Sequence, residues 1–242
     1  MDLTLKAFSL LLSYPTTELQ EAVGTIREVV GGDRRLGRRE FGRIDRLLSV
    51  IQTSDVWVLQ EQFVDLFDRS RSLSLNLFEH VHGESRDRGS AMVSLLESYR
   101  SAGFEPSTNE LPDHLPVLLE YLSIRPASEA RDVLGDAAYI FEALARRLSR
   151  RTSPYASVFS ALVKLSGQSV SRKMVADLIA APDPDGNDLE ALDRAWEESE
   201  VTFGPDPNAG CPEVRNILAR IDPPAEPGSH GSGPSPEDLN NA

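Results

Sequence analysis

Cysteine is nearly absent from this chain of 242 residues, which contains only Cys211. A lone cysteine excludes a disulfide framework and a zinc site built from cysteine pairs. No stretch provides the roughly 18 consecutive apolar residues that a membrane-spanning helix requires. The apolar segment from Met1 to Pro15 also lacks the basic region and the small-residue cleavage site of a secretory signal. We therefore expect a cytoplasmic protein with no direct membrane insertion.

Sequence motifs that carry common enzyme chemistry are also missing. The chain has no Gly-x-Ser-x-Gly nucleophile turn, no Gly-x-x-x-x-Gly-Lys phosphate loop and no Gly-x-Gly-x-x-Gly segment after a strand. Only four histidines occur, and one of them, His230, lies near the C-terminal end. We therefore predict a protein that is not an enzyme, with no catalytic residues and no bound metal.

The formal net charge of −13 is concentrated near one end of the chain. Residues 1–181 are nearly neutral, whereas residues 182–242 contain 14 acidic and 3 basic side chains. An arginine-rich stretch places Arg35, Arg39, Arg43 and Arg46 on one possible helix face, but it has no basic surroundings to extend it. Nucleic-acid binding needs a broader basic surface, so a solvated helix face is the favoured interpretation and no nucleic acid is expected.

The composition divides the chain into two regions. Residues 206–242 are acidic and rich in Pro, Gly and Ser, and from Asp222 onwards Leu239 is the only large apolar residue. Such a segment buries too little apolar surface to offset the entropy that folding removes. We predict one all-helical domain over residues 1–205 and a largely disordered extension over residues 206–242.

The first region has helical periodicity throughout. Apolar residues from Leu134 to Leu148 follow the spacing of a single helix face, and similar stripes start at Val56 and Met92. Alternating β-branched runs bounded by hairpin turns are missing. The pattern predicts an all-α bundle of about eight to ten helices, with further helices at about 3–13, 17–30, 39–52, 155–166, 171–180 and 188–199.

The segment "LPDHLPVLLEYL", Leu111 to Leu122, is predicted to be a helix that begins at Pro112. At about 100° per residue, Leu115, Leu118, Leu119 and Leu122 share one arc that faces the core. Asp113 and Glu120 fall nearly opposite this arc, and His114 and Tyr121 lie on its flank. We therefore expect the Asp-His pair to face outward or to line the edge of a groove.

A second polar segment, Phe78 to Gly89, contains seven ionisable residues of both signs. Glu79 and His82 have the Glu-x-x-His spacing of a di-iron ligand pair, but the second such pair that this site requires is missing. His80 and His82 would point about 200° apart on a helix. The alternative that remains open is a metal-dependent hydrolase built on His80, His82, Asp113 and His114.

Two motifs in this order, "LFEHVHGESRDRG" from Leu77 and "ELPDHLPVLLEYL" from Glu110, closely resemble the signature segments of NarJ-type chaperones. These are the assembly factors of respiratory nitrate reductase within the wider TorD/DmsD family of redox-enzyme maturation proteins. The resemblance runs from about Leu3 to about Ala180. In the wider family an acidic residue often stands where this chain has Leu118, so the role of that carboxylate does not transfer.

The resemblance implies a TorD-like, cofactor-free chaperone that binds the apo form of the catalytic subunit of nitrate reductase, through its N-terminal peptide. Such a chaperone holds the subunit until molybdenum cofactor is inserted and the membrane subunits join. A groove between helices would take a basic amphipathic segment, with apolar anchors inside and carboxylates at the rim. The partner-binding residues expected on this basis are Leu66, Phe67, Phe78, Glu79, His80, His82, Glu84, Arg86, Asp87, Arg88, Asp113, His114, Glu120 and Tyr121.

Overall fold

The computed structural model describes residues 1–82, 87–106, 110–180 and residue 220. These ranges contain eleven α-helices and a 3-10 turn at Arg71–Leu73, and they contain no β-strand, so the all-α prediction is confirmed. The helices are α1 (Leu3–Leu11), α2 (Thr17–Gly32), α3 (Arg38–Thr53), α4 (Val56–Phe67), α5 (Glu79–His82), α6 (Asp87–Ser101), α7 (Leu115–Ile124), α8 (Ala127–Asp136), α9 (Ala138–Arg150), α10 (Ala156–Ser166) and α11 (Arg172–Ala180).

Short polar side chains and one glycine set several helix ends. Asp2, Thr16 and Asp55 accept hydrogen bonds from backbone N–H groups in the first turns of α1, α2 and α4. These N–H groups have no partner within their own helix, so the caps stabilise the helix starts. At its other end, α10 stops at Gly167, whose φ of 67° lies in the left-handed region that glycine adopts without strain.

Most residues of helix α7 are buried. It packs on α1, α1 packs on α2, and the bundle continues through α3, α10 and α9. The four leucines that the helical wheel assigns to the core, Leu115, Leu118, Leu119 and Leu122, are all buried, as predicted. The Ser9 hydroxyl donates a buried hydrogen bond of 2.7 Å to the Pro116 carbonyl, which joins α1 to α7.

The stripe from Leu134 to Leu148 is not one helix. Helix α8 ends at Asp136 and α9 begins at Ala138, with Ala137 at φ −90° and ψ −3° between them. The seven apolar residues on the predicted face are nevertheless buried: Leu134, Ala137, Ala138, Phe141, Leu144, Ala145 and Leu148. Periodicity did not reveal the break because both helices bury this apolar face. Helix α8 packs on α10, and α9 packs on α10 and α11. The break and the short α5 raise the number of helices above the predicted range.

Two predictions concern residues outside the described ranges: the helix at 188–199 and the disordered extension at 206–242. Within the extension only Arg220 is described. Its guanidinium group forms ion pairs with Asp136 at 2.5 Å and with Asp132 at 3.5 Å, both on α8. Among the helices that the structure describes, none combines the length and the apolar character needed to cross a membrane.

Candidate functional site

The second signature segment begins with a turn at Pro112 and Asp113, closed by a hydrogen bond from the His114 N–H to the Leu111 carbonyl, which corrects the prediction of a helix from Pro112. Helix α7 starts at Leu115, with His114 at its N-cap and Pro116 in its first turn. The preceding residues pair with the first signature segment. The Leu77 N–H donates to the Asp113 carbonyl at 3.1 Å, and the Leu115 N–H donates to the Leu75 carbonyl at 2.8 Å. The two motifs thus meet in a short antiparallel contact.

The Asp113 side chain lies in the interior, with an exposed fraction of 0%. Its Oδ2 accepts a hydrogen bond of 3.0 Å from the Phe78 N–H, which fastens one signature segment to the other. Burial raises the pKa of the Asp113 carboxyl, although the Phe78 hydrogen bond and the charge of Arg88 oppose this shift. The expectation of an outward carboxylate is wrong because the helical wheel was applied to a residue that precedes the helix.

Side chains of the first signature segment form hydrogen bonds and ion pairs within the protein. The His80 Nε2–H donates to the Ser74 carbonyl at 2.8 Å, and burial lowers the pKa of this imidazole. Glu79 forms a partly buried ion pair with Arg88 at 3.0 Å. Phe78 was predicted to line an open groove, but it is buried in the core, so this prediction is wrong. The polar groups of this segment mainly fix its shape.

Two other predicted anchors belong to aromatic clusters in the core. Tyr121 packs against Tyr99 with ring centroids 4.7 Å apart, and the Tyr99 hydroxyl donates to the Pro112 carbonyl. Phe67 contacts Phe63 at 4.9 Å and Tyr155 at 5.2 Å. Aromatic pairs at such distances stabilise a core. Neither ring is exposed, so the prediction that Tyr121 lies on an outer flank is wrong.

An acidic surface remains where these segments reach solvent. His114 Nδ1 lies 4.0 Å from the Glu110 carboxylate, and the charges of Glu110 and Asp68 both act on this imidazole. Burial lowers the pKa of His114 while these two carboxylates oppose the shift, and burial together with the charge of Glu110 raises the pKa of Asp68. We call Asp68, Glu110 and His114 the acidic rim.

Apolar side chains accompany the acidic rim. Leu66 is partly buried and is the last residue but one of α4, and Leu111 is 41% exposed and follows Glu110 in the chain. The predicted rim residue Glu120 is half-exposed and paired with Lys6. Asp68 and Glu110 escaped the sequence predictions because they come together only in the folded chain. The i,i+4 spacing of Glu110 and His114 was the one local signal.

Four of the expected partner-binding residues have side chains outside the described part of the structure: His82, Glu84, Arg86 and Asp87. The described members of the hydrolase alternative do not support a metal site. His80 is bonded to the Ser74 carbonyl and Asp113 to the Phe78 N–H. In the ranges that the structure describes, no three His, Cys, Asp or Glu side chains are grouped so that they could hold a metal ion.

Comparison with known proteins gives a consistent result. A family model described as "Nitrate reductase delta subunit" matches residues 17–161. The chain is 42% identical over 202 residues to the "Nitrate reductase molybdenum cofactor assembly chaperone NarJ" of Escherichia coli K12, covering 84% of this chain and 85% of that protein. It is 37% identical over 207 residues to the "Probable nitrate reductase molybdenum cofactor assembly chaperone NarW" of the same organism, covering 86% of each. The Bacillus subtilis protein named as a probable NarJ is 30% identical over 165 residues, covering 67% of this chain and 87% of that protein.

Proposed function

The chain belongs to the nitrate reductase delta subunit family, and from this membership we infer that it is a chaperone for nitrate reductase maturation. The observation that carries this inference is the similarity, over most of both chains, to proteins named as molybdenum cofactor assembly chaperones. The all-α fold and the two signature segments joined through Asp113 are in keeping with that role.

We further propose that the partner is the apo form of the catalytic subunit, engaged through its N-terminal peptide in the cytoplasm. The chaperone would hold this subunit open until molybdenum cofactor is inserted, and no catalysis by the chaperone is required. The polar groups of the signature segments support a scaffold role. Asp113 and His80 are each bonded to backbone groups and are not directed at a common reaction centre.

The acidic rim is the surface that we propose for this partner. Two carboxylates at the edge of a surface with Leu66 and Leu111 suit a basic amphipathic segment, because apolar contacts supply affinity and the charges select orientation. Asp113, which makes the buried contact with Phe78, immediately precedes His114 in the chain. A rim fixed by such a buried contact would bind with less ordering cost than a mobile loop.

The test removes the two rim carboxylates without removing side-chain volume. Asp68→Asn with Glu110→Gln should weaken binding of a synthetic N-terminal peptide of the catalytic subunit by about three- to tenfold, since exposed ion pairs are each worth roughly 0–1 kcal/mol. The salt dependence of binding should flatten, because fewer charges attract the ligand through screened solvent. Calorimetric titration at two salt concentrations measures both effects.

The matched control is Glu18→Gln with Glu21→Gln, which removes the same two charges from exposed positions on α2. Equal weakening by both double variants would show that only net charge matters and would reject the rim as the binding surface. The chaperone role has a separate test, which is capture of the catalytic subunit from native cytoplasm by the tagged full chain. Failure of that capture would overturn the proposed function itself.

A further inference from the structure

A cleft of about 480 Å³ opens between α3 and the turn that joins α9 to α10. Arg43, Arg46 and Val50 line it from α3, and the opposite wall consists of Ser149, Thr152, Ser153, Pro154, Ala156 and Ser157. Its volume is within the range of roughly 300–1,000 Å³ that is typical of small-molecule sites. None of these residues belongs to the acidic rim, so the cleft is a separate feature.

The two arginines of the cleft are not neutralised by the described part of the chain. Arg43 and Arg46 form no ion pair with any described residue, and both are exposed. Neighbouring arginines behave differently: Arg27 is paired with Asp45 on α3 at 2.6 Å, and Arg146 of α9 is paired with Glu142 at 2.7 Å. The cleft therefore presents two guanidinium groups that are free to bind an anion.

The opposite wall contributes a hydroxyl group that also lacks a partner. Ser153 Oγ is buried and forms no hydrogen bond with any described residue. The adjacent hydroxyls are satisfied, because Thr152 donates to the Arg151 carbonyl and Ser157 donates to the Pro154 carbonyl, each at 2.7 Å. Buried polar groups without partners are uncommon and destabilise a fold, so such a group calls for a missing acceptor.

The backbone conformation of the turn between α9 and α10 determines the shape of this wall. Thr152 has a φ of 54° and is the one non-glycine residue of the described ranges with positive φ. Thr152 is the C′ residue of the α9 C-cap: its N–H donates to the Ser149 carbonyl and the Ser153 N–H donates to the Leu148 carbonyl, so the left-handed conformation ends the helix and fixes the turn. The turn brings Ser149 and Ser153 onto the side of the cleft that faces α3.

We propose that this cleft binds a small organic phosphate ester. Guanidinium groups match phosphate oxygens with paired hydrogen bonds, and two unneutralised arginines suit a group that carries close to two negative charges. Rotation of the Ser153 side chain about its Cα–Cβ bond turns the buried hydroxyl toward the cleft, where it donates to a third phosphate oxygen. A phosphate group alone would leave most of the cleft empty, and Val50 and Pro154 supply apolar surface for the organic part.

Phenyl phosphate, titrated into the full chain at fixed ionic strength and followed by calorimetry and amide NMR shifts, tests the proposal. Saturable binding with shifts confined to the amides around residues 43–50 and 149–157 is expected. Arg43→Gln with Arg46→Gln should weaken binding by roughly tenfold or more. The control, Arg38→Gln with Arg39→Gln, removes the same charge from α3 outside the cleft and should change affinity less than about twofold.

Ser153→Ala separates ligand binding from folding. It should weaken phenyl phosphate binding several-fold while the melting temperature of the free protein stays the same or rises, because an unsatisfied buried hydroxyl has been removed. A lowered melting temperature would show that the hydroxyl has an internal partner and would overturn the assignment. The proposal also fails if both arginine double variants bind equally weakly, if the shifts lie elsewhere, or if inorganic phosphate or benzoate binds as tightly as phenyl phosphate.

Discussion

The Asp113 carboxylate and the Phe78 N–H form a buried hydrogen bond between two segments that are 35 residues apart. Removing the acceptor strands a buried N–H group, which costs more than the net value of the bond. This contact makes Asp113 a structural residue of the second signature segment. The position of the first signature segment depends on it.

Asp113→Ala should lower the free energy of unfolding by about 1–3 kcal/mol at pH 7. Asp113→Asn should lose less, because the amide oxygen still accepts from Phe78 and no buried charge remains. Burial raises the pKa of Asp113 in the folded state. Wild-type stability should therefore fall as the pH rises from the ordinary pKa of 3.8 through the raised pKa. The Asn variant should not show this decline. Urea unfolding across this pH range measures both, and equal losses in the two variants would contradict the structural role.

His80 gives a second residue-scale prediction, with the opposite dependence on pH. Burial lowers the pKa of folded His80 below its ordinary value of 6.5, so the unfolded chain takes up the proton first as the pH falls. Wild-type stability should therefore be complete above pH 6.5 and should decrease below it.

His80→Gln keeps a side-chain N–H that can donate to the Ser74 carbonyl and removes the titration. The variant should show a shallower loss of unfolding free energy between pH 7 and the lowered pKa of His80. Since burial also lowers the pKa of His114, His114→Gln serves as the comparison and should remove a second part of the slope. An unchanged slope in the His80 variant would show that the ring is not held neutral in the fold.

At the scale of helices, one guanidinium group connects the start of α1 to the end of α2. Arg35 is paired with Asp2, the N-cap of α1, at 2.6 Å and with Asp33, the C-cap of α2, also at 2.6 Å. The hydrogen bond from Arg35 lowers the pKa of Asp33 to about 2, with a further contribution from the Thr4 hydroxyl. These bonds fix how the two helices meet.

Arg35→Met should destabilise the fold by about 1–2 kcal/mol at pH 7, a figure reduced from the full pKa shift because the Arg35 side chain is 44% exposed. The wild-type advantage is present above the ordinary Asp33 pKa of 3.8 and should disappear as the pH falls from 3.8 to about 2. Thermal melts at pH 7 and pH 2.5 measure this difference. A deficit that stays constant with pH would attribute the loss to packing of the arginine stem.

At the scale of the whole molecule, charge is partitioned between regions. The body is nearly neutral yet presents the carboxylates of the acidic rim on one surface and the free arginines of the α3 cleft on another. The acidic residues 182–242 carry most of the net charge. Local arrangement, and not the total charge, therefore determines which ligand each surface selects.

Truncation after Ile221 should leave the helix content and the melting temperature nearly unchanged, because residues 222–242 offer only Leu239 as a large apolar side chain. Arg220 stays in this variant. Truncation after Leu218 removes Arg220 together with its ion pairs to Asp132 and Asp136 and should cost a further 0–1 kcal/mol or so. Circular dichroism melts of both variants provide the measurement, and a fall of many degrees on the first truncation would contradict the prediction.

Local patterns in the sequence determined the fold class, most helix bounds and the four buried leucines of α7. Each of these depends on residues within a few turns of one another, and periodicity reports such neighbours directly. The two signature motifs likewise identified the family, which the match over residues 17–161 confirmed.

Only the tertiary structure decided what the polar residues of those motifs do. Asp113 is buried because residues 75–77 pair with the segment before α7, and Tyr121 is buried because Tyr99 packs against it. The acidic rim likewise brings together Asp68 and Glu110 from separate segments. A helical wheel describes one helix in isolation, whereas burial depends on which distant segments cover each face, and that is settled only when the helices pack together.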